Sequence, residues 1–101
     1  MTFRKSTTKI GNHRNNPRIW LEGKWINKAG FDCGQKINVD IRSNKITIEP
    51  DNTGNHKVSG KKKNTIPVID LNTSKINDAF NCSDTVQVTA GNHKITITPA
   101  Y

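Results

Sequence analysis

Two stretches of the chain alternate between apolar and polar residues. One comprises residues 37–41 and 46–48, and the other comprises residues 86–88 and 95–97; a polar turn, Gly91-Asn92 in the second case, interrupts each stretch. A period of two on both sides of a short polar turn is typical of a β-hairpin. The pattern therefore predicts two hairpins.

The segments before the two hairpins have a different pattern. Arg18–Leu21 and Val68–Leu71 are short runs in which Ile and Leu alternate with other residues, which predicts a strand. In Lys24–Ala29 and Ser74–Phe80 the apolar residues recur at three- and four-residue spacing, which predicts a short helix. Each half of the chain is therefore expected to run strand, helix, hairpin.

The two halves also resemble each other residue by residue. Residues 17–50 align with residues 67–99 with one gap, at Gly30, and 14 of the 33 remaining pairs are identical, most of them apolar. A unit of about 35 residues is too small to bury a stable core alone. We therefore expect the two repeats to cover each other as a fused, monomeric pseudo-dimer.

The expected organisation has four parts. Residues 1–16 are polar, basic and without periodicity, which indicates a flexible arm. Residues 17–50 form the first repeat, residues 51–66 a basic linker rich in Gly, Asn, Ser and Lys, and residues 67–101 a second, degenerate repeat. Residues 17–101 are expected to fold as one compact domain.

Charge distinguishes the two halves. The formal charge of +8 divides into +4 for residues 1–16, +2 for residues 17–50, +3 for residues 51–66 and −1 for residues 67–101. An excess of Lys and Arg raises affinity for polyphosphates through counterion release, so nucleic acid is the leading partner class. The alternative is a generic basic surface that only aids solubility.

The first repeat carries a specific motif. From Ile19 to Phe31 it reads Ile-Trp-Leu-Glu-Gly-Lys-Trp-Ile-Asn-Lys-Ala-Gly-Phe. A strand followed by Gly-Lys-Trp and then Ala-Gly-Phe resembles SymE, within the swapped-hairpin barrel family of AbrB, MazE and SymE proteins (the SpoVT-AbrB family). The resemblance covers residues 17–50 well and residues 67–99 moderately.

The resemblance implies a fold. The expected fold is mainly β with two short helices. It is an AbrB-like swapped-hairpin β-barrel, formed as an intramolecular pseudo-dimer of two β-α-β-β repeats. The second repeat departs from the motif, because residues 72–75 replace Glu22-Gly23-Lys24-Trp25 and Gly30 has no counterpart. Only the first half is therefore expected to contact nucleic acid, while the second completes the barrel.

The resemblance also implies a function. Members of the family bind DNA through basic residues near the strand-to-helix region, and SymE is described as an SOS-induced toxin, viewed either as an RNA cleaver or as a nucleoid-binding protein. Basic side chains around the first helix, in the arm and in the linker are our candidate phosphate contacts. The candidate nucleic-acid-binding residues are Arg4, Lys5, Lys9, Arg14, Arg18, Trp20, Lys24, Lys28, Lys61, Lys62 and Lys63.

Aromatic residues and the Gly-Asn-His motif are further candidates. Trp20 alternates with Ile19 and Leu21 and should point to the surface, where it could stack on a base, contact a partner or lie over neighbouring side chains. Trp25 is expected to pack. Gly-Asn-His occurs three times, at residues 11, 54 and 91, and indicates turns, with phosphate binding by their backbone N–H groups as the sharper reading.

Metal, cofactor and catalytic signals are weak. No histidine lies at ligand spacing from a cysteine or carboxylate, and no nucleophile or phosphate-loop motif occurs, so we expect no metal, no cofactor and no enzyme. Cys33 and Cys82 are expected to be reduced core residues. No stretch is long and apolar enough to span a bilayer, so a cytoplasmic or nucleoid protein of a bacterium or mobile element is expected.

These observations predict a small nucleic-acid-binding regulator or SymE-like toxin-module protein, with DNA favoured over RNA. Two alternatives remain. One is a SymE-like RNA-cleaving toxin, for which His13, Arg14 and Lys24 would be the residues to test. The other is a protein-binding inhibitor or antitoxin module that uses the exposed Trp20 and the basic face.

Overall fold

A computed structural model describes residues 2–63, 65–80 and 84–100, apart from the side chains of residues 2 and 3. Strands dominate, and the only two helices in these ranges are a single turn and under two turns long. In chain order the elements are β1 Thr2–Lys9, β2 Gly11–His13, β3 Asn16–Glu22, α1 Trp25–Lys28, β4 Lys36–Arg42, β5 Lys45–Pro50, β6 His56–Lys57, β7 Ser59–Lys61, β8 Ile66–Asn72, α2 Lys75–Phe80, β9 Thr85–Gly91 and β10 Lys94–Pro99. The predicted strand, helix, hairpin order of each half is confirmed.

The strands form two antiparallel sheets. Sheet A has six strands in the order β1-β9-β10-β5-β4-β6, and sheet B has four in the order β2-β3-β8-β7. The expectation of a mainly β protein with two short helices is confirmed. The predicted closed barrel is wrong, because sheet A ends in β1 and β6 and sheet B ends in β2 and β7.

The chain itself joins the sheets at two corners. Between β1 and β2 it passes from sheet A to sheet B at Ile10, and between β6 and β7 it does so at Val58. The Ile10 amide donates to the Asp84 carbonyl (2.7 Å) and the Val58 amide donates to the Gln35 carbonyl (2.9 Å). The Gly34 amide also donates to the Val58 carbonyl (2.8 Å). A few hydrogen bonds beside the sheets thus hold the corners, and not the continuous strand pairing that closes a barrel.

Corresponding strands of the two halves pair with each other. In sheet B, β3 pairs with β8 in a register that places Trp20 opposite Asp70; in sheet A, β5 pairs with β10 and places Thr47 opposite Thr96. The two sequence segments that resemble each other therefore meet at the centre of both sheets. Neither segment pairs only with itself.

The space between the sheets is a single apolar core. Ile19, Ile46, Ile69 and Ile95 are fully or almost fully buried, and they come from all four central strands. Phe31, which follows α1, is also fully buried. Because both halves supply the core, each covers apolar surface that the other would expose to water.

Each hairpin turn contacts the helix of the opposite half. The Asn44 amide, in the β4–β5 turn, donates to the Ala79 carbonyl of α2 (2.7 Å), and the His93 amide, in the β9–β10 turn, donates to the Ala29 carbonyl after α1 (2.7 Å). Asn44 and His93 are aligned positions, as are Ala29 and Ala79. The two contacts are therefore counterparts.

The segments expected to be an arm and a linker contain strands. Residues 2–9 form β1, which pairs with β9 over almost its whole length, and residues 11–13 pair with β3. In the expected linker, β6 pairs with β4, β7 pairs with β8, and Val58 is 1% exposed. Sequence periodicity missed these strands because they lie at sheet edges, where polar side chains are tolerated on both faces.

Cys33 lies after α1 and Gly30. Cys33 is half-buried and forms no disulfide with any residue that the structure describes, so it lies at the margin of the core. Cys82 falls outside the described residues.

Gly30 permits the contact between α1 and the opposite hairpin. Its φ is +98°, and a Cβ would lie 2.6 Å from Cδ2 of the His93 ring. Gly34 has a similar φ of +85° but no neighbour within 4 Å of such a Cβ. Gly34→Ala therefore isolates the backbone strain, of order 1–3 kcal/mol.

We expect Gly30→Ala to lower the free energy of unfolding by roughly 1–3 kcal/mol more than Gly34→Ala, because only Gly30→Ala also overpacks the His93 ring. Urea unfolding of both variants measures the difference. Adding His93→Ala should remove most of the excess. Equal losses in the two single variants would contradict the contact.

Candidate nucleic-acid interface

Most of the predicted cations converge at one end of sheet B. Lys24 and Lys28 follow the C-terminal end of β3, and Lys62 and Lys63 form the turn that precedes β8. Since β3 and β8 are antiparallel and Glu22 lies opposite Val68, these two ends coincide. The Gly23 amide also donates to the Pro67 carbonyl there (3.2 Å).

Arg4 joins this group from sheet A, because its guanidinium carbon lies 5.0 Å from the centroid of the Trp25 ring. Such a cation–π contact holds the cation at the start of α1. All these cations are exposed. We call the set the basic end: Arg4, Lys24, Lys28, Lys61, Lys62 and Lys63.

The remaining candidates lie elsewhere. Arg14 is in the β2–β3 turn, at the opposite end of sheet B, and its φ of +53° belongs to that tight turn. Lys5 and Lys9 are exposed on β1, on the face of sheet A that points away from the core. The structure therefore does not bring all of the predicted contacts together.

Arg18 is occupied by interactions within the protein. Its Nε and Nη2 donate to the two carboxylate oxygens of Asp70, both at 2.9 Å, across the pairing of β3 with β8. Its guanidinium carbon also lies 4.3 Å from the centroid of the Trp20 ring. The hydrogen bonds to Asp70 raise the pKa of Arg18, so the side chain stays charged but is already paired. Arg18 is consequently a poorer phosphate ligand than the sequence suggested.

Trp20 points away from the core as predicted. It is half-buried on the outer face of sheet B, whereas Ile19 and Leu21 are buried. Its ring has Arg18 within 4.3 Å and the Lys61 Nζ within 5.1 Å of its centroid. The ring thus lies among neighbouring side chains, and a stacked base would have to compete with these cations.

Glu22 organises this cluster and was not a sequence candidate. Its carboxylate accepts from Trp20 Nε1 (2.9 Å) and lies 2.8 Å from the Lys61 Nζ, while its backbone carbonyl accepts from Trp25 Nε1 (3.0 Å). The carboxylate thus fixes one tryptophan and one lysine of the basic end. The sequence did contain a signal that could have identified Glu22 as a functional residue. Glu22 belongs to the Glu-Gly-Lys-Trp motif, which is present in the first repeat and absent from the second.

A groove runs between β1 and the start of α1. Arg4, Ser6, Thr8, Trp20 and Trp25 are among the residues that line it. Arg4, Ser6 and Thr8 face inward on β1, since Ser6 lies opposite the buried Val88. The groove therefore joins the N-terminal strand to the SymE-like motif.

The three Gly-Asn-His motifs have different roles. At residue 91 the motif forms a hairpin turn, with His93 at a φ of +59°, as predicted. At residue 54, Asn55 pairs with β4: its side chain accepts from the Val39 amide (3.0 Å) and donates to the Val39 carbonyl (3.3 Å). At residue 11 the motif is β2 itself. The three motifs have three different geometries, so the structure gives no support for a common phosphate-binding role.

The residues named for RNA cleavage are far apart. His13 and Arg14 lie at the N-terminal end of β3 and Lys24 lies beyond its C-terminal end, about 20 Å away along an extended strand of seven residues. These three residues cannot form a single site in this arrangement. Among residues 2–63, 65–80 and 84–100, no three His, Cys, Asp or Glu side chains group as a metal site would require.

Within the part of the chain that the structure describes, neither helix has the length and apolarity needed to cross a membrane.

Hydrogen bonds from Lys61 and then Trp20 lower the pKa of Glu22 below its usual range. The stabilisation of the fold by these two contacts is therefore complete above the usual pKa of a glutamate. It is lost as the pH falls through the lowered pKa of Glu22. We expect the indole N–H resonance of Trp20 to shift with this low midpoint in an NMR titration. In Glu22→Gln the shift should be absent. A midpoint at or above the usual glutamate pKa would contradict the contact.

A comparison with protein families bears on this site. The family model described as "Toxin SymE, type I toxin-antitoxin system" matches residues 4–50. No curated protein and no solved structure matches the chain. The match includes most of β1 and all of β2, so it extends into the segment that periodicity assigned to an arm. The predicted likeness is therefore confirmed for the first half: residues 4–50 are similar to the SymE toxin family.

Proposed function

We propose that this protein is a SymE-like toxin-module protein that binds nucleic acid through the basic end, without cleaving it. The family match over residues 4–50 supports the toxin-module assignment. The observation that carries the binding proposal is the convergence of six cations around α1 and the β7–β8 turn. We further propose that the protein acts in a bacterial cytoplasm or nucleoid as a small regulator, with DNA preferred over RNA.

The charges of the basic end support phosphate binding. Lys24, Lys28, Lys62 and Lys63 are exposed and form no ion pair with any acidic residue that the structure describes. Such lysines act as mobile point charges, which suits contact with the phosphate backbone better than reading of base edges. Arg18, whose guanidinium could otherwise fork onto a base edge, is already paired with Asp70. The proposed binding is therefore mainly independent of sequence.

We expect Lys24→Ala with Lys28→Ala to weaken binding to duplex DNA of any sequence. The slope of log K against log salt should fall by about 2, since each phosphate contact contributes about 0.9. Fluorescence anisotropy with a labelled duplex between low and physiological salt measures both quantities. A flat salt response of the unaltered protein would reject the proposal.

Lys75→Glu is the matched control, because it changes the net charge by the same amount on the exposed surface of α2, at the opposite end of sheet B. If it weakens binding as much as the double variant, total charge and not the basic end determines affinity. The same samples incubated with RNA test cleavage. Fragmentation that persists through purification and disappears in His13→Ala would support the RNA-cleaving alternative instead.

We also propose that the protein is a pseudo-dimer with exchanged hairpins, related to the swapped-hairpin arrangement of AbrB proteins. The reciprocal hydrogen bonds of Asn44 with Ala79 and of His93 with Ala29 support this, because each hairpin turn lies on the helix of the opposite half. The pairing of β1 with β9 and of β6 with β4 follows the same exchange. A fused pair of this kind should remain a monomer in solution.

We expect the amides of Asn44 and His93 to exchange slowly with deuterium, although both lie in exposed two-residue turns, because each donates to a helix carbonyl at 2.7 Å. The Ser43 and Asn92 amides of the same turns serve as references. Hydrogen exchange followed by NMR measures all four. Equal, rapid exchange at the four positions would contradict the exchanged arrangement.

A further inference from the structure

The outer face of sheet A carries more cations than the basic end. Side chains alternate along each strand, so the residues between the buried positions of β9, β10, β5 and β4 point away from the core, together with residues 5, 7 and 9 of β1. Lys57 lies opposite Lys36 and shares this face. The exposed cations of the face are Lys5, Lys9, Lys36, Arg42, Lys45, Lys57 and Lys94, against the acidic residues Asp40 and Glu49.

These cations come from both halves of the chain, and most of them lie above or below a central row of threonines that ends in Lys5 on one side and in Asp40 on the other. Lys36, Lys57 and Lys94 lie towards the β9–β10 turn, and Lys9 and Lys45 lie towards the other end of the strands. Lys45 lies beside Thr98 of β10, four residues further along that strand than Lys94. Lys45 and Lys94 are therefore about 13 Å apart along the strand direction. Arg42 is paired with Asp40 at 2.8 Å.

The centre of the face is made of hydroxyl and amide groups. Register places Thr89 opposite Thr96 and Thr96 opposite Thr47, and Gln87 and Thr98 form the next level. These side chains are half-buried. Neither aliphatic nor aromatic side chains occupy the outward positions of β9, β10, β5 and β4 that the structure describes.

This composition discriminates between partners. A protein partner would require buried aromatic or apolar anchors at the centre of the interface, and a bilayer surface would require apolar groups to insert. A single strand would require aromatic platforms for its bases. A face of cations around hydroxyl and amide groups instead matches the polar, positively charged interfaces that proteins form with nucleic-acid duplexes.

We propose that the outer face of sheet A is a second binding surface, which contacts the sugar–phosphate backbone of a double helix without reading its bases. It rests on the proposed nucleic-acid binding and extends it from the first half to both halves. The two surfaces meet at the β9–β10 turn, where Lys94 follows His93 and the His93 amide bonds to Ala29 beside Lys28. One duplex could therefore contact both.

Lys45→Ala with Lys94→Ala tests the face, because these are aligned positions, one from each half, and each is exposed. We expect the slope of log K against log salt for a duplex to fall by about 2. Lys75→Glu changes the net charge equally on α2, which belongs to neither surface, and should lower the slope less than the double variant does. Thermal unfolding of each variant confirms that the fold is retained.

The outcomes separate this inference from the proposed function. If Lys24→Ala with Lys28→Ala lowers the slope and the sheet A variant does not, the basic end binds and the second surface is rejected. If only the sheet A variant lowers it, the second surface stands and the basic end is rejected. A single-stranded oligonucleotide or poly-glutamate that binds the unaltered protein as tightly as the duplex would overturn the assignment of a double helix. DNA and RNA duplexes both support it.

Discussion

The antiparallel pairing of β3 with β8 and of β5 with β10 is the interaction on which the rest of the structure depends. Each pair joins corresponding strands of the two halves, so the central hydrogen bonds of both sheets cross between halves. The apolar side chains of these strands then face one shared interior. A half taken alone would expose to water buried residues such as Ile19, Leu21, Ile46 and Ile48, which a unit of this size cannot tolerate.

This pairing also determines where charge accumulates. Because β3 and β8 run in opposite directions, the residues after β3 and those before β8 share one end, and Lys24 and Lys28 approach the Lys62-Lys63 turn from a distant part of the chain. The same pairing in sheet A places Lys45 and Lys94 on one face. Charge that appears in the sequence as a basic arm and a basic linker becomes two surfaces that meet at one hairpin turn.

The tryptophan cluster shows how acidic groups shape these surfaces. Asp70 neutralises Arg18, and Glu22 holds Trp20 and Lys61 while its carbonyl holds Trp25. The Arg18 guanidinium and the Trp20 indole N–H are therefore already paired within the protein. In the binding that we propose, the exposed lysines are therefore the main contacts, which favours recognition of the backbone over recognition of sequence.

The sequence by itself determined the two hairpins, the two short helices, the buried alternation around Ile46 and Ile95, and the SymE-like motif, because each depends on residues that are close in the chain. It did not reveal that residues 2–9 form a strand, since an edge strand needs no apolar face. Nor did it reveal that Asp70 would bind Arg18, that the sheets would remain open, or that seven cations would share a face. Those features arise from pairing between residues about 50 to 90 positions apart, and only the tertiary structure fixes such a register.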